Sequence, residues 1–414
     1  MKSKNEVTGC LDRPVCICDT TLRNGEQAAG VIFSNIEKYR IAQLLDEARI
    51  PQIQAGIPGL STEDKKAVRH IARMGLDASV MSWNRADIND INASIECEVD
   101  SVAISIGVSD AQIANVYRKD HEWIVDKIYE TVSYASDHGL YISCLAEDAP
   151  NADLGFLLDF AKCAREAGAD RIGYVDTIGC EDPFTCYERL KTLGQIVRMD
   201  YEVVSSNDLG MATAHTVAGL KAGARFASVS SMGIGPKAGV APLEEVVMAA
   251  GHTLGLDSGI DCTRFMEIGD AVALASGRPV PVAKPVIGSY VYMQESGVAV
   301  DGVVKDENGE AFDPAEVGAV RTVLVGKHSS RNTIISEIAQ MGIELSREDA
   351  DALLDMVRKA TIQMHRSVSP KELFLLYEDL MSGNDVFDEG AVAVAPAPAA
   401  AVPEPVQENA GNPQ

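Results

Sequence analysis

Along the first 230 residues the chain repeats one pattern: an amphipathic stretch, a glycine, then a short apolar run. Gly75 precedes the run 78–83, Gly139 the run 141–145, Gly168 the run 171–175 and Gly223 the run 225–229. A glycine at the end of a helical pattern is the residue that accepts the left-handed conformation closing a helix, so each repeat reads as helix, turn, strand. Further runs at 15–19, 52–56, 101–106 and 201–206 bring the strands to eight before about residue 232. Eight strand–helix units in that length predict an α/β fold, a (β/α)₈ TIM barrel over 1–257. A doubly wound sheet is the alternative, but it calls for a glycine-rich dinucleotide turn after the first strand, and none stands there.

Beyond 257 the pattern is first helical, then broken by Pro279, Pro281 and Pro285. It resumes as helices near 331–341, 347–364 and 370–382, so 258–385 is expected to be a linker and a smaller, mostly helical region. The Ala/Pro-rich stretch 386–414 has too little apolar patterning to fold and is expected to be a disordered tail.

Composition narrows the partners. With 36 basic and 61 acidic side chains, the formal charge of −25 argues against nucleic acid. No apolar segment approaches a membrane span and the amino terminus is polar, so no membrane partner and a cytoplasmic location are expected. Nine cysteines lie without CxxC pairing and read first as small packed residues.

The chemistry concentrates after the first strand, in Asp19-Thr20-Thr21-Leu22-Arg23-Asn24-Gly25-Glu26-Gln27. This stretch resembles the opening signature of the metal-dependent acyltransferases that make homocitrate, 2-isopropylmalate and citramalate. Four further segments resemble that family in order: Tyr174-Val175-Asp176-Thr177-Ile178-Gly179, Asn207-Asp208-Leu209-Gly210-Met211-Ala212, Pro242-Leu243-Glu244-Glu245-Val246, and Glu295-Ser296-Gly297 with Gly326-Lys327-His328-Ser329. They span about 12–385. Asp182-Pro183-Phe184 and the overall length look most like the nitrogen-fixation type of homocitrate synthase.

The resemblance implies a Claisen condensation of acetyl-CoA with a 2-oxo acid, assisted by a divalent metal. Such a site needs a carboxylate, two imidazoles at i and i+2 of one strand, a cation for the developing oxyanion, and an acid–base pair. By this resemblance Asp19 takes the metal acid's place and Cys18 that of a catalytic arginine. Gln54 stands for a glutamate, and Val204 and Ser206 stand for the two histidines. Val240 replaces the asparagine of a turn after the last strand, and Gln294 and Ala299 replace two histidines of the carboxyl-terminal part. Valine has no lone pair and a neutral serine is a poor ligand, so no cofactor is expected. A divalent Mg, Mn or Zn would be required if the reaction survives.

The resemblance therefore implies a folded relative that has left the family reaction, acting as a partner, regulatory or ligand-binding paralogue. The alternative is a working synthase joining acetyl-CoA to 2-oxoglutarate in support of nitrogenase cofactor synthesis. A third reading is metal-free chemistry on Asp19, Glu202, Asp176 and Cys18. The residual pocket is expected from Asp19, Arg23, Gln27, Asp176, Thr177, Glu202, Asn207 and Asp208. Asp19 also reads as a cap, Asp176-Thr177 and Asn207-Asp208 as hydrogen-bonding scaffold at the strand ends, Glu202 as a surface residue and Cys18 as a packed filler. Expected partners are a small 2-oxo acid or acetyl-CoA, and a second subunit in a homodimer or a heterodimer with an active homologue.

Overall fold

The alternation of apolar runs and glycine-closed helices becomes a closed parallel barrel. The computed structural model describes residues 1–296 and 310–384. Its eight strands are β1 (Cys16–Asp19), β2 (Gln52–Gln54), β3 (Ser79–Arg85), β4 (Ser101–Gly107), β5 (Tyr141–Glu147), β6 (Arg171–Asp176), β7 (Asp200–Ser205) and β8 (Phe226–Val229). Neighbours in sequence pair in order, and β1 closes the ring against β8 with Cys16 opposite Phe226 and Asp19 opposite Val229. The four predicted helix-ending glycines, 75, 139, 168 and 223, have φ of 74, 75, 104 and 110°. At Gly75, Gly139 and Gly223 an added Cβ would meet nothing, so conformation alone demands glycine there.

Strand alternation sorts the side chains. Cys18, Met81, Ala103, Leu145, Val175 and Val204 meet in one buried cluster inside the barrel. The amino-terminal helix α1 (Lys4–Cys10), capped by Ser3, packs Val7 against Cys16, Tyr141 and Phe226 at the strands' beginnings. The opposite rim carries the loops, where such barrels place their chemistry.

Two compact units divide the chain: 1–291 with 312–320, and 292–311 with 321–414. The division does not fall at 257, because the helix Phe265–Ser276 buries Phe265, Ile268 and Val272 in the first unit. In the second unit β9 (Met293–Gln294) pairs with β10 (Thr322–Val323). Helices Arg331–Gln340, Arg347–Met364 and Pro370–Ser382 enclose Ile334, Ile338, Leu353, Val357 and Leu373. Within this unit the 326–329 turn is braced internally: Gly326 N–H donates to Ser329 Oγ at 2.9 Å and His328 N–H to Glu295 at 3.5 Å. Ala299 and the tail 386–414 lie outside the described residues. No helix among the described residues is long and apolar enough to cross a membrane.

Candidate active-site cavity at the barrel mouth

The loop after β1 is wedged before it presents anything. Thr20 Oγ donates to Val229 O at 2.8 Å, Ser231 N–H donates to Thr21 Oγ at 2.8 Å, and Asn24 Nδ2 donates to Thr20 Oγ at 2.7 Å. These bonds anchor the one-turn helix Thr21–Asn24, which holds Arg23 over a cavity of about 370 Å³. Arg23 Nε donates to Gln54 Oε1 at 2.7 Å and Nη1 to Gln27 Oε1 at 3.2 Å, while Nη2 has no partner among the described residues. The guanidinium also stands 5.7 Å from the Trp83 ring centre. Burial lowers its pKa, with Glu147 acting in the opposite direction.

Leu145, Val175 and Val204 give the cavity apolar walls. Asp208 and Lys237 contribute an ion pair at 3.1 Å. Glu147 is the other carboxylate at the cavity, and it accepts from Ser105 Oγ at 2.7 Å and Thr177 Oγ at 2.6 Å. The arrangement is one open guanidinium edge above an apolar pocket, with both acids engaged. It suits capture of a small carboxylate.

Of the residues singled out on sequence, Arg23, Gln27, Thr177, Val204, Ser206, Asp208 and Val240 line this cavity together. Others stand elsewhere. Cys18 points into the closed interior, where burial and then Glu202 push its thiol up to about 12, so it is neutral at pH 7. Asp19, next along the strand, does not reach the cavity. Its carboxyl accepts from Thr21 N–H at 2.8 Å and Thr21 Oγ at 3.0 Å, and burial raises it to about 7. Asp176 ties its own loop, accepting from the N–H of Gly179 at 2.8 Å and Glu181 at 3.1 Å. Asn207 accepts from Ala212 N–H at 3.2 Å. Gln54 supports Arg23, and Gln294 lies in β9 of the second unit.

Glu202 shares the parity of Val204 but stands nearer the strand's beginning. It receives Arg171 Nε at 2.7 Å, Ser143 Oγ at 2.6 Å and Ser228 Oγ at 2.5 Å. Burial raises its pKa, but Arg171 and the two hydroxyls outweigh that and hold it below the usual carboxylate range. Arg171 was not anticipated. Its only sequence signal is an arginine at an inward position near the start of a strand adjacent to that of Glu202.

His215 was also missed as a buried group. Its Nδ1 bonds Ser205 Oγ at 2.7 Å and its Nε2 bonds Glu181 at 3.0 Å, with the Cys186 sulfur also close. Ser205 alternates with Val204 and Ser206, so this cluster lies outside the barrel wall and does not supply the cavity. Among the lining residues there is no imidazole, and Ser206 Oγ donates to Thr177 O at 3.3 Å.

Comparison with known proteins agrees with this architecture. Residues 14–272 match the family described as HMGL-like, and residues 286–364 match the homocitrate synthase post-HMGL domain-like family. The chain is 48% identical over 371 residues to a protein named 2-isopropylmalate synthase 2 from Caldanaerobacter subterraneus subsp. tengcongensis, covering 89% of this chain and 97% of that one. It is 42% identical over 366 residues to homocitrate synthase 1 of Nostoc sp., covering 88% and 97%. The crystal structure of Bacillus subtilis HMG-CoA lyase superposes with a TM-score of 0.59 at 14% identity, over 65% of this chain and 96% of that one, which is a likeness of fold. With its closed barrel, mouth cavity and ordered motifs, the chain belongs to the HMGL-like family, alongside 2-isopropylmalate and homocitrate synthases.

Proposed function

We propose that this chain is a member of the acetyl-CoA/2-oxo acid condensation family that still receives a 2-oxo acid at Arg23 but does not carry out metal-assisted condensation. The observation that supports it is the donor set of the mouth cavity. Positions 204 and 206 bring a methyl surface and a hydroxyl, Asn24 brings a carboxamide, and Glu147 and Asp208 are each already engaged. A divalent transition metal asks for imidazoles and a free carboxylate, so these residues do not fit one. Arg23, by contrast, keeps an unpartnered edge suited to a carboxylate. On this reading the chain serves as a ligand-binding or regulatory subunit, as a homodimer or beside an active homologue.

The test is metal content and CoA release on one purified sample, with Mn²⁺, Mg²⁺ or Zn²⁺ and a 2-oxo acid, beside calorimetry of the acid alone. Saturable acid binding without metal-stimulated thiol release is expected. One equivalent of metal with stimulated release would overturn the proposal. A constructive check follows from the geometry: Asn24→Asp, Val204→His and Ser206→His together should give stoichiometric Co²⁺ binding, whereas histidines opposite Asp19 alone should not. A second reading, a working synthase, is favoured by Arg23 together with the 48% identity to a protein named 2-isopropylmalate synthase 2.

A further inference from the structure

A larger groove of about 660 Å³ lies beside the mouth cavity, and Glu147 and Thr177 belong to the walls of both. The chain has two tryptophans, and both line this groove. Tyr117 joins them, its ring centre 5.7 Å from that of Trp123 and its hydroxyl accepting from Gly107 N–H at 2.9 Å. A wide helical turn, Ile113–Tyr117, closed by Arg118 in the left-handed region at φ 55°, brings Val116 and Tyr117 to this wall. Such turns are uncommon and recur at functional sites. The Trp83 indole N–H is sealed from solvent and has no acceptor among the described residues.

The cations that line the groove are already matched. Arg85 is held by both oxygens of Asp90, at 2.8 and 2.7 Å, and Lys127 pairs with Glu130 at 2.8 Å. Glu147 adds a carboxylate at the junction with the mouth. A second carboxylate entering from Arg23 would therefore meet a like charge and, among the residues that line the groove, no unpaired cation. Lys119 lies over the Trp123 ring at 5.7 Å, outside that lining. An uncharged flat group would meet three aromatic side chains.

We infer that the acid received at Arg23 carries an uncharged aromatic or long apolar side chain, which lies along Trp83, Tyr117 and Trp123. This rests on the reading of the mouth as a 2-oxo acid site. It names a monocarboxylic, aryl-bearing class and disfavours short dicarboxylic 2-oxo acids.

The test is calorimetric titration of the full chain with 4-phenyl-2-oxobutanoate, 2-oxoglutarate and pyruvate, with thermal melts to confirm folding of each variant. The phenyl acid should bind about 30-fold more tightly than either other acid, the increment for burying one ring. Val116→Asp, at a position 68% exposed, should weaken the phenyl acid about 10-fold by replacing an apolar wall with a hydrated carboxylate that the ring would have to desolvate, and leave pyruvate unchanged. Glu147→Gln should strengthen 2-oxoglutarate, which carries two carboxylates, more than it strengthens the two monocarboxylic acids. If 2-oxoglutarate binds as tightly as the phenyl acid and Arg23→Gln abolishes that binding, the inference falls and the carboxylate site stands. If none of the three acids binds, the carboxylate site falls with it.

Discussion

Two arginine-centred networks share this barrel, and they differ in whether an opposite charge is bonded to the guanidinium. Each leaves one guanidinium nitrogen without a partner among the described residues. In the lower interior Arg171 and Glu202 are both fully buried, and Glu202 collects two hydroxyl donors besides the guanidinium. Arg171 also donates to Gln52 at 2.6 Å and lies 4.2 Å from the Phe226 ring centre. At the mouth Arg23 is half-buried, held by two neutral amides, and keeps an open edge. A charge that meets an opposite charge inside the protein stabilises a state of the chain. A charge oriented by neutral groups is left for a ligand. The same residue type thus separates scaffold from site according to what faces it.

The sharpest way to break this comparison is to remove the lower partner. Glu202→Ala strands a buried guanidinium and should lower stability by about 3–5 kcal/mol in urea unfolding, whereas Arg23→Gln should cost about 1 kcal/mol or less. Equal losses would mean that the two networks do the same work.

Asp19 comes next. Its pKa rises from an ordinary 3.8 to about 7 in the folded chain, so folded protein holds the proton more tightly than unfolded chain. Stability from this group is therefore greatest below about pH 4 and falls as pH climbs to about 7, by up to about 4 kcal/mol. Asp19→Asn should flatten that part of the dependence when urea midpoints at pH 5 and pH 8 are compared with those of the unaltered chain.

At the mouth, Arg23→Gln should weaken 2-oxo acid binding roughly 10- to 100-fold, the loss expected for one charged hydrogen-bonding partner, read by calorimetry. The smallest effect belongs to the rim. Lys237→Ala removes an exposed partner of Asp208 and should change stability by less than about 1 kcal/mol, an effect erased by salt in the same unfolding assay.

Much of the barrel was legible because it depends on local periodicity. The strand runs, the four helix-ending glycines and the helices near 331–341, 347–364 and 370–382 all rest on spacing and backbone conformation. The site was legible in part. Arg23, Gln27, Thr177 and Asp208 were found because they cluster in motifs at strand ends. Asp19 was misplaced relative to the cavity because one residue of parity sends a side chain to the opposite face of a strand, whereas Cys18 has the inward parity and lies in the closed interior. Asn24 went unremarked, although the one-turn helix carries it to the cavity wall beside Arg23.

What the sequence determined by itself is the order of strands and helices, since alternation, glycine and capping act within a few residues. What only the tertiary structure decided is which polar groups meet. Arg171 pairs with Glu202 across 31 positions, and His215 reaches Glu181 across 34. Those pairings depend on strand register and ring closure, and no local pattern carries that information. The same holds for the two tryptophans, 40 positions apart in the chain, which only the folded barrel brings to one groove.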